Sequence, residues 1–415
     1  MLLQNVTVLC ANSVWHNKKA DIWVANGKIK DIQAKINLKT VKNVAPSQVV
    51  DATGKFICAS FVDVGTHTAD PGFEQKDDLQ SIAKAARAGG FGVILVAPNT
   101  NPVTNSKSEI AYIQNKTQHE NIKFLPIAAI TTDAEGKKMN EIYDLRAAGA
   151  VAFSDGKNPM QNTSMLLRAL EYVQPFGGLI ANQPHDSTII GSKGQMHEGY
   201  YSTLLGMKGA PSLAETLMLQ RDIALLAYTK SRLLTHCIST AESTEMVAKA
   251  KGENLNVYAS VAVANLVFED ADLIDFDTNY KMFPHLRTEN DRKALLQAIK
   301  NGTIDIICSN HTPHEDDCKN VEFQYANYGI IALETTLAML CTYTDLSPAQ
   351  IVAQLSDNPR RIFGLSQPKF EVGEAADFTL FDTTTEWTVS EKTLFSKSKN
   401  TPLLGKTVRG VVSQF

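Results

Sequence analysis

Cysteine is scarce in this chain of 415 residues and forms no recognisable pattern. A zinc ribbon needs paired Cys-x-x-Cys spacing, which is absent, and a disulfide scaffold would need a denser set in a shorter chain. We therefore expect reduced thiols that fill small spaces in the core. The six cysteines are Cys10, Cys58, Cys237, Cys308, Cys318 and Cys341.

The chain also lacks a tract of like charge and a long apolar run. Its 40 Lys and Arg residues nearly balance 44 Asp and Glu residues, and the formal net charge is -4. This balance gives no electrostatic footprint for nucleic acid or for an anionic membrane. The longest apolar stretches, such as residues 91–98, are far shorter than the roughly 20 residues that span a bilayer. The first residues do not resemble a signal peptide. We expect a cytoplasmic protein whose partners are small molecules or proteins.

Short runs rich in β-branched residues alternate with amphipathic helical stretches between residues 56 and 309. This alternation is typical of βα units around a parallel sheet. Eight such units close into a TIM (β/α)8 barrel, and this α/β fold is our prediction. The eight candidate strands are residues 56–64, 92–97, 123–130, 150–154, 178–182, 232–236, 256–263 and 304–309.

The two ends of the chain have a different pattern. Short alternating strands near the N-terminus are joined by a hairpin-type turn at Asn26-Gly27, and similar segments recur at residues 373–382 and 406–412. We predict that both termini combine into one small β-sandwich-like domain beside the barrel. The predicted boundaries are residues 1–57 and 366–415 for this β domain and residues 58–365 for the barrel.

Polar side chains follow successive predicted strands. In a TIM barrel the carboxyl ends of the strands carry the active site. His67, Asp155, His236 and His311 all stand at such ends, with asparagines between them in the chain. Imidazole and carboxylate ligands with a carboxylate base are what a mononuclear or dinuclear metal hydrolase needs.

Several long and unusual strings of residues carry a resemblance to a known family. In their order along the chain they resemble the dihydroorotases of the cyclic amidohydrolase superfamily. The resemblance covers nearly the whole chain and implies an amidohydrolase-type TIM barrel with a small β domain built from both termini. The strings are Ala97-Pro-Asn-Thr-Asn-Pro-Val, Ala148-Gly-Ala-Val-Ala-Phe-Ser-Asp-Gly, Tyr328-Gly-Ile-Ile-Ala-Leu-Glu-Thr, Asp357-Asn-Pro-Arg-Arg-Ile-Phe-Gly and Ser398-Lys-Asn-Thr-Pro-Leu-Leu-Gly.

The resemblance also implies which residues bind metal and substrate, and the chain departs from the family at the first strand end. There the family has His-x-His followed by a substrate-binding arginine, whereas this chain has Gly65, His67 and Ala69. Ala69 cannot make the charge-assisted contact of a guanidinium with a carboxylate. Asn99 resembles the family's second substrate contact. Asp155 resembles its metal-ligating aspartate, although the family's Asp-Asp-Gly is shortened to Asp-Gly.

Further departures follow at the later strand ends. Gln183 stands where the family has a ligating histidine, with His185 two residues further on, while His236 matches its family counterpart. Phe283 replaces a substrate-contacting asparagine, and Asn310 replaces the catalytic aspartate. An amide cannot take a proton from metal-bound water near pH 7. The resemblance therefore implies that the general base is missing.

We interpret these positions as a vestigial pocket with no intact catalytic residue and with no stable metal site. Weak candidates for metal ligands are His67, Asp155, His185 and His236. The members of the predicted pocket are Gly65, His67, Ala69, Asn99, Asp155, Gln183, His236, Phe283, Asn310 and His311.

Two functions remain open at this point. The first is a non-catalytic pseudo-dihydroorotase of de novo pyrimidine biosynthesis, without a cofactor, that assembles with aspartate transcarbamoylase, the partner implied by the family. We expect it to form a homo-oligomer, and its pocket could bind a small pyrimidine-like ligand. The second is an active, divergent zinc-dependent dihydroorotase, or another cyclic amidohydrolase that hydrolyses a cyclic amide C–N bond. Asn310 is the strongest objection to the second function.

Overall fold

The computed structural model describes residues 1–37, 48–190 and 194–413. Its strands in chain order are β1 (Leu2–Val8), β2 (Lys19–Ala25), β3 (Lys28–Gln33), β4 (Val49–Asp51), β5 (Phe56–Ala59), β6 (Phe61–Thr66), β7 (Phe91–Val96), β8 (Lys123–Ala128), β9 (Ala152–Phe153), β10 (Ile180–Asn182), β11 (Met196–His197), β12 (Gly209–Ala210), β13 (Leu233–Thr235), β14 (Val257–Ala262), β15 (Ile306–Cys308), β16 (Phe378–Thr388) and β17 (Thr407–Val412).

The α-helices lie mainly between the barrel strands. No helix in the described ranges is both long enough and apolar enough to cross a membrane. In chain order the helices are α1 (Leu79–Ala88), α2 (Lys107–Thr117), α3 (Ile142–Ala147), α4 (Thr163–Val173), α5 (Ser187–Ile190), α6 (Tyr200–Leu204), α7 (Leu213–Thr229), α8 (Ala241–Gly252), α9 (Val263–Val267), α10 (Glu289–Lys300), α11 (Thr336–Tyr343), α12 (Pro348–Val352) and α13 (Asn358–Ile362).

Eight parallel strands form the barrel, in the spatial order β6, β7, β8, β9, β10, β13, β14 and β15. Their residues are buried almost throughout, as in Phe61–Thr66 and Ile306–Cys308, because helices cover the outer face and side chains fill the inner one. The inner layer includes Val64, Leu95 and Leu234. The predicted TIM barrel is confirmed.

The carboxylate of Asp63 joins the first barrel strand to the last one. Ser309 donates two hydrogen bonds to it, from its backbone nitrogen to Oδ1 at 2.7 Å and from its hydroxyl to Oδ2 at 2.7 Å. The Thr66 hydroxyl donates to the same Oδ2. Burial raises the pKa of Asp63, although these three donors oppose the rise. One buried side chain therefore holds together the two strands at which the barrel closes.

Strands from both ends of the chain form one separate seven-stranded sheet beside the barrel. Its order is β17, β16, β5, β1, β2 and β3, with β4 paired to β1. The predicted Asn-Gly hairpin joins β2 to β3, where Asn26 has a φ of 52° and Gly27 a φ of 66°. Positive φ at both central residues is what a tight hairpin turn requires. The small β domain built from both termini is thus present.

The predicted first barrel strand, residues 56–64, is in fact two strands in two sheets. β5 pairs with β1 and β16 in the terminal sheet, and β6 pairs with β7 in the barrel. The change occurs at Ser60, whose carbonyl accepts a hydrogen bond from Arg360 at 3.0 Å. Continuous apolar character hid this break from the sequence pattern. The domain boundaries proposed above stay a prediction.

Replacing Asp63 by alanine should destabilise the protein by about 3 kcal/mol, because buried donors of Ser309 and Thr66 would lose their acceptor. Urea unfolding followed by circular dichroism measures the change. Asp51→Ala is the control, since Asp51 is exposed and accepts a backbone hydrogen bond from Thr53. It should cost less than about 1 kcal/mol. Equal losses in the two variants would contradict the role given to Asp63.

Candidate functional site

A small cavity opens at the carboxyl ends of the barrel strands, and its volume is ≈ 30 Å³. A single water needs about 10–15 Å³ of such space, whereas ligand pockets commonly measure about 300–1,000 Å³. Five residues of the predicted pocket line it, and five do not. The lining residues are Val64, Gly65, His67, Ala97, Pro98, Ile127, Ser154, Gly156, Lys157, Ala181, Gln183, His236 and Asn310.

The imidazole of His236 lies against the backbone of Gly65. Gly65 has a φ of +82°, and a Cβ added there would stand 2.7 Å from Nε2 of His236. The ring therefore occupies the space in which a side chain at position 65 would begin. Its other nitrogen, Nδ1, is 2.8 Å from the hydroxyl of Ser260, which fixes the orientation of the ring. Gly65 is required here both by its φ and by this close approach.

Cys237 contacts this imidazole, and Cys308 contacts Cys237. Cys237 Sγ lies 3.4 Å from Nε2 of His236 and 3.3 Å from Sγ of Cys308. Burial opposes ionisation of Cys237, but hydrogen bonds with Cys308 and His236 outweigh it and hold the thiol pKa below its usual value. The same contact raises the pKa of His236 against its burial.

The scattered cysteine pattern predicts core filler, but the structure places Cys237 and Cys308 beside the cavity. Cys237 directly follows His236 at the end of β13, and Cys308 stands two residues before Asn310 at the end of β15. Because the strand ends of a barrel border its active site, these two positions in the sequence could have indicated cysteines near the cavity. In the described residues, His236, Cys237 and Cys308 are the group of three histidine, cysteine or acidic side chains whose ligand atoms converge within 4.8 Å.

Asn99 and Asp155 are engaged by the protein itself. Asn99 donates from Nδ2 to the carbonyl of Asp155 at 3.0 Å and accepts at Oδ1 from the backbone nitrogen of Lys157 at 2.8 Å. The Asp155 carboxylate accepts from the backbone nitrogen of Thr131 at 2.9 Å and from its hydroxyl at 2.5 Å. Burial raises the pKa of Asp155. Neither side chain directs a free polar group into the cavity.

Asn310 acts as a hydrogen-bond donor at the position that the resemblance matches to the family's base. Its Nδ2 donates to the carbonyl of Phe283 at 2.9 Å, and its backbone has a φ of +51°. A carboxylate could not make this contact, because it has no proton to donate near pH 7. The ring of Phe283 packs edge-on against His185, with ring centroids 4.5 Å apart. His185 and Phe283 line a separate surface cleft and not the cavity.

The remaining predicted residues divide between the cavity and its surroundings. His311 accepts at Nδ1 from the backbone nitrogen of Ala332 at 3.2 Å, and its Nε2 faces Asp77 at 3.7 Å, so it braces a loop. Ala69 is buried outside the lining, and its φ is +61°. Gln183 and His67 line the cavity, and burial holds the pKa of His67 well below its usual range.

These residues do not fit the zinc pair that the family implies. At the first strand end His67 is present but Gly65 offers no side chain, and the ring of His236 fills that space. Gln183 and Asn310 bring neutral amides, which are poor zinc ligands beside imidazole and carboxylate. The carboxylate of Asp155 is turned to Thr131. We therefore assign no dinuclear zinc site to these positions.

The barrel, the terminal sheet and the position of the cavity define an amidohydrolase-type fold. Solved structures of that type superpose over nearly the whole chain. An L-hydantoinase (dihydropyrimidinase) from Arthrobacter aurescens matches with a TM-score of 0.84 at 22% identity, covering 99% of this chain and 93% of the other. A D-hydantoinase matches with a TM-score of 0.82 at 21% identity, covering 99% and 92%. At such identities the likeness concerns the fold alone.

Sequence comparison identifies the family within that type. A family model described as Dihydro-orotase-like matches residues 54–243, and the Amidohydrolase family model matches residues 182–412. A dihydroorotase from Caldicellulosiruptor saccharolyticus is 37% identical, covering 99% of this chain and 96% of its own length. A dihydroorotase from Ruminiclostridium cellulolyticum is 36% identical, covering 95% and 92%. The chain belongs to the dihydroorotase family.

Replacing Gly65 by alanine should destabilise the protein by more than the strain of a positive φ alone. Gly302 is a matched control, since its φ is +79° against +82° for Gly65 and nothing lies within 4 Å of its added Cβ. Gly302→Ala should cost about 1–2 kcal/mol, and Gly65→Ala about 1–3 kcal/mol more from the contact with His236. Chemical unfolding measures both. Similar losses would show that the ring moves aside freely.

Asn310→Asp should not restore a working base. The new carboxylate would lose the hydrogen bond to the Phe283 carbonyl and would face that oxygen instead, with an expected loss of about 1–3 kcal/mol in stability. Asn310→Ala loses the same bond without adding charge and should cost less. Unfolding curves of both variants give the comparison. An aspartate variant as stable as the parent, with new hydrolytic activity, would contradict this view of Asn310.

Proposed function

We propose that this member of the dihydroorotase family is non-catalytic and serves as a structural partner of aspartate transcarbamoylase in de novo pyrimidine biosynthesis. The observation that carries the proposal is the engagement of the site's polar groups by the protein itself. The amides of Asn99 and Asn310 and the carboxylate of Asp155 hydrogen-bond to neighbouring backbone and side chains. The cavity, which Asn310 lines, has a volume of ≈ 30 Å³.

Hydrolysis of a cyclic amide needs an activated water, a base for its proton and an anchor for the substrate. In the family, zinc supplies the activation of water. Asn310 cannot take up a proton near pH 7, and Ala69 cannot hold a carboxylate. Burial holds the pKa of His67 well below its usual range, so this imidazole is neutral, and Lys157 is the basic side chain in the cavity lining. These residues support the loss of the reaction.

The surface offers support for a protein partner. Tyr200, Leu204 and Tyr325 are 73%, 55% and 70% exposed. Their chain neighbours Tyr201, Leu205 and Phe323 pack in one small apolar cluster, so the segments that carry the exposed side chains meet there. Exposed aromatic residues are enriched at protein interaction surfaces relative to the rest of the surface. A homo-oligomer and a small pyrimidine-like ligand in the pocket remain further proposals.

An active dihydroorotase is the second candidate function. The observation that favours it is the identity of 37% and 36% to two proteins named dihydroorotase, over nearly the full chain. Zinc would then be the cofactor, as the alternative derived from the sequence requires. The departures at Gly65, Ala69, Gln183 and Asn310 count against it.

Two measurements on the purified full-length protein decide between these functions. With zinc added, the rate of dihydroorotate hydrolysis should not exceed the rate without protein, while the dihydroorotase of Caldicellulosiruptor saccharolyticus turns the substrate over in the same assay. On a sizing column the chain should co-migrate with aspartate transcarbamoylase. Zinc-dependent turnover would establish the second candidate, and separate migration would remove the partner role.

A further inference from the structure

The cluster of His236, Cys237 and Cys308 plays no part in the proposed function. The two thiols are buried, and their sulfur atoms are 3.3 Å apart. The imidazole Nε2 lies 3.4 Å from Cys237 Sγ, and the three ligand atoms fall within 4.8 Å of one another. Three soft or borderline donors directed at one point are the ligands that a thiophilic cation prefers.

We propose that Nε2 of His236, Sγ of Cys237 and Sγ of Cys308 bind one zinc ion. Zinc bonds of about 2.3 Å to sulfur and about 2.0–2.1 Å to nitrogen, at tetrahedral angles, separate two sulfurs by about 3.8 Å and sulfur from nitrogen by about 3.5 Å. The observed separations of 3.3 Å and 3.4 Å are within about half an ångström of these values. A disulfide would need the sulfurs at about 2.05 Å.

The surroundings hold the three donors in place. Ser260 contacts Nδ1 of His236 at 2.8 Å and accepts a hydrogen bond from the backbone nitrogen of Cys237 at 2.9 Å. A partner on one ring nitrogen orients the ring and leaves the other nitrogen for the metal, as in known zinc sites. Cys308 ends β15, the last strand of the barrel, and is buried against Cys237 and Ala262. Rigid elements therefore carry all three ligands.

The charges of the ligands and of the zinc ion balance, which favours zinc binding at this buried site. Two thiolates and a neutral imidazole compensate the two positive charges of zinc, so the complex is neutral and its burial costs little. Binding converts two thiol groups to thiolates and releases two protons for each zinc taken up. Since His236 lines the cavity, a water in that cavity can complete a fourth position.

This site differs from the zinc pair of the family, because two of its three ligands are thiols at positions outside the predicted pocket. None of its ligands comes from Gly65, Gln183 or Asn310. Zinc can bind to these three side chains whether or not the protein hydrolyses a substrate. The inference and the proposed function can therefore fail separately.

The test is a titration of the reduced full-length protein with Co²⁺ as a spectroscopic substitute, followed by Zn²⁺. We expect one ion per chain, an intense thiolate-to-cobalt charge-transfer absorption that zinc abolishes, and two protons released. Cys237→Ser and Cys308→Ala should each remove the absorption and weaken zinc binding on the order of 100-fold or more, because they delete direct ligands. Cys58→Ala is the control, since Cys58 is equally buried in another part of the core.

The unaltered protein alone can overturn the proposal, so it does not depend on the folding of the variants. No charge-transfer absorption with excess cobalt would refute it. Binding of one zinc ion per chain, without a thiolate-to-cobalt absorption in the cobalt titration, would place the ion on imidazoles such as His67. That result would also refute the proposal. An absorption that survives in both ligand variants would assign it to other cysteines. Hydrolysis of dihydroorotate by a protein with no such absorption would remove both this inference and the proposed function.

Discussion

The contact between the imidazole of His236 and the backbone of Gly65 is the constraint on which the rest of the site depends. It is possible only because position 65 has no Cβ, since an added one would stand 2.7 Å from Nε2. The ring, oriented by Ser260, can then come within 3.4 Å of Cys237. The same contact leaves no room for a ligand at position 65. One glycine thus stands where the resemblance implies a family ligand and allows an imidazole to approach a pair of thiols.

The polar residues around this contact are compensated locally. Asn99 is tied to the backbone of residues 155–157, and Asn310 is tied to the carbonyl of Phe283. Active sites commonly keep such groups unsatisfied or strained and lose stability for it. Here each amide hydrogen-bonds to backbone groups of neighbouring segments. The residues that differ from the family pattern therefore make stabilising hydrogen bonds of their own. A single substitution such as Asn310→Asp would break one of these hydrogen bonds without supplying the other residues of the site.

The sequence was sufficient for the barrel, the terminal sheet and the strand ends that border the cavity, because periodic burial of apolar side chains determines all three. It was insufficient to predict which distant residue a given side chain or carbonyl contacts in the folded chain. The break at Ser60 lies inside a continuous apolar run, and the carbonyl of residue 60 meets Arg360 only in the folded chain. His311 faces Asp77 instead of the cavity. Cys237 and Cys308 are 71 residues apart in the chain, and their contact exists only because β13 and β15 flank β14.

Family membership and chemistry rest on different residues in this protein. The 37% identity to a dihydroorotase extends over 99% of the chain. The reaction would depend on a few strand-end side chains, so function has to be argued from the site itself. A zinc ion on His236 and two thiols would not change that conclusion. Ala69 would still bring no guanidinium to an anionic substrate, and the Asn310 amide would still donate to the Phe283 carbonyl instead of accepting a proton.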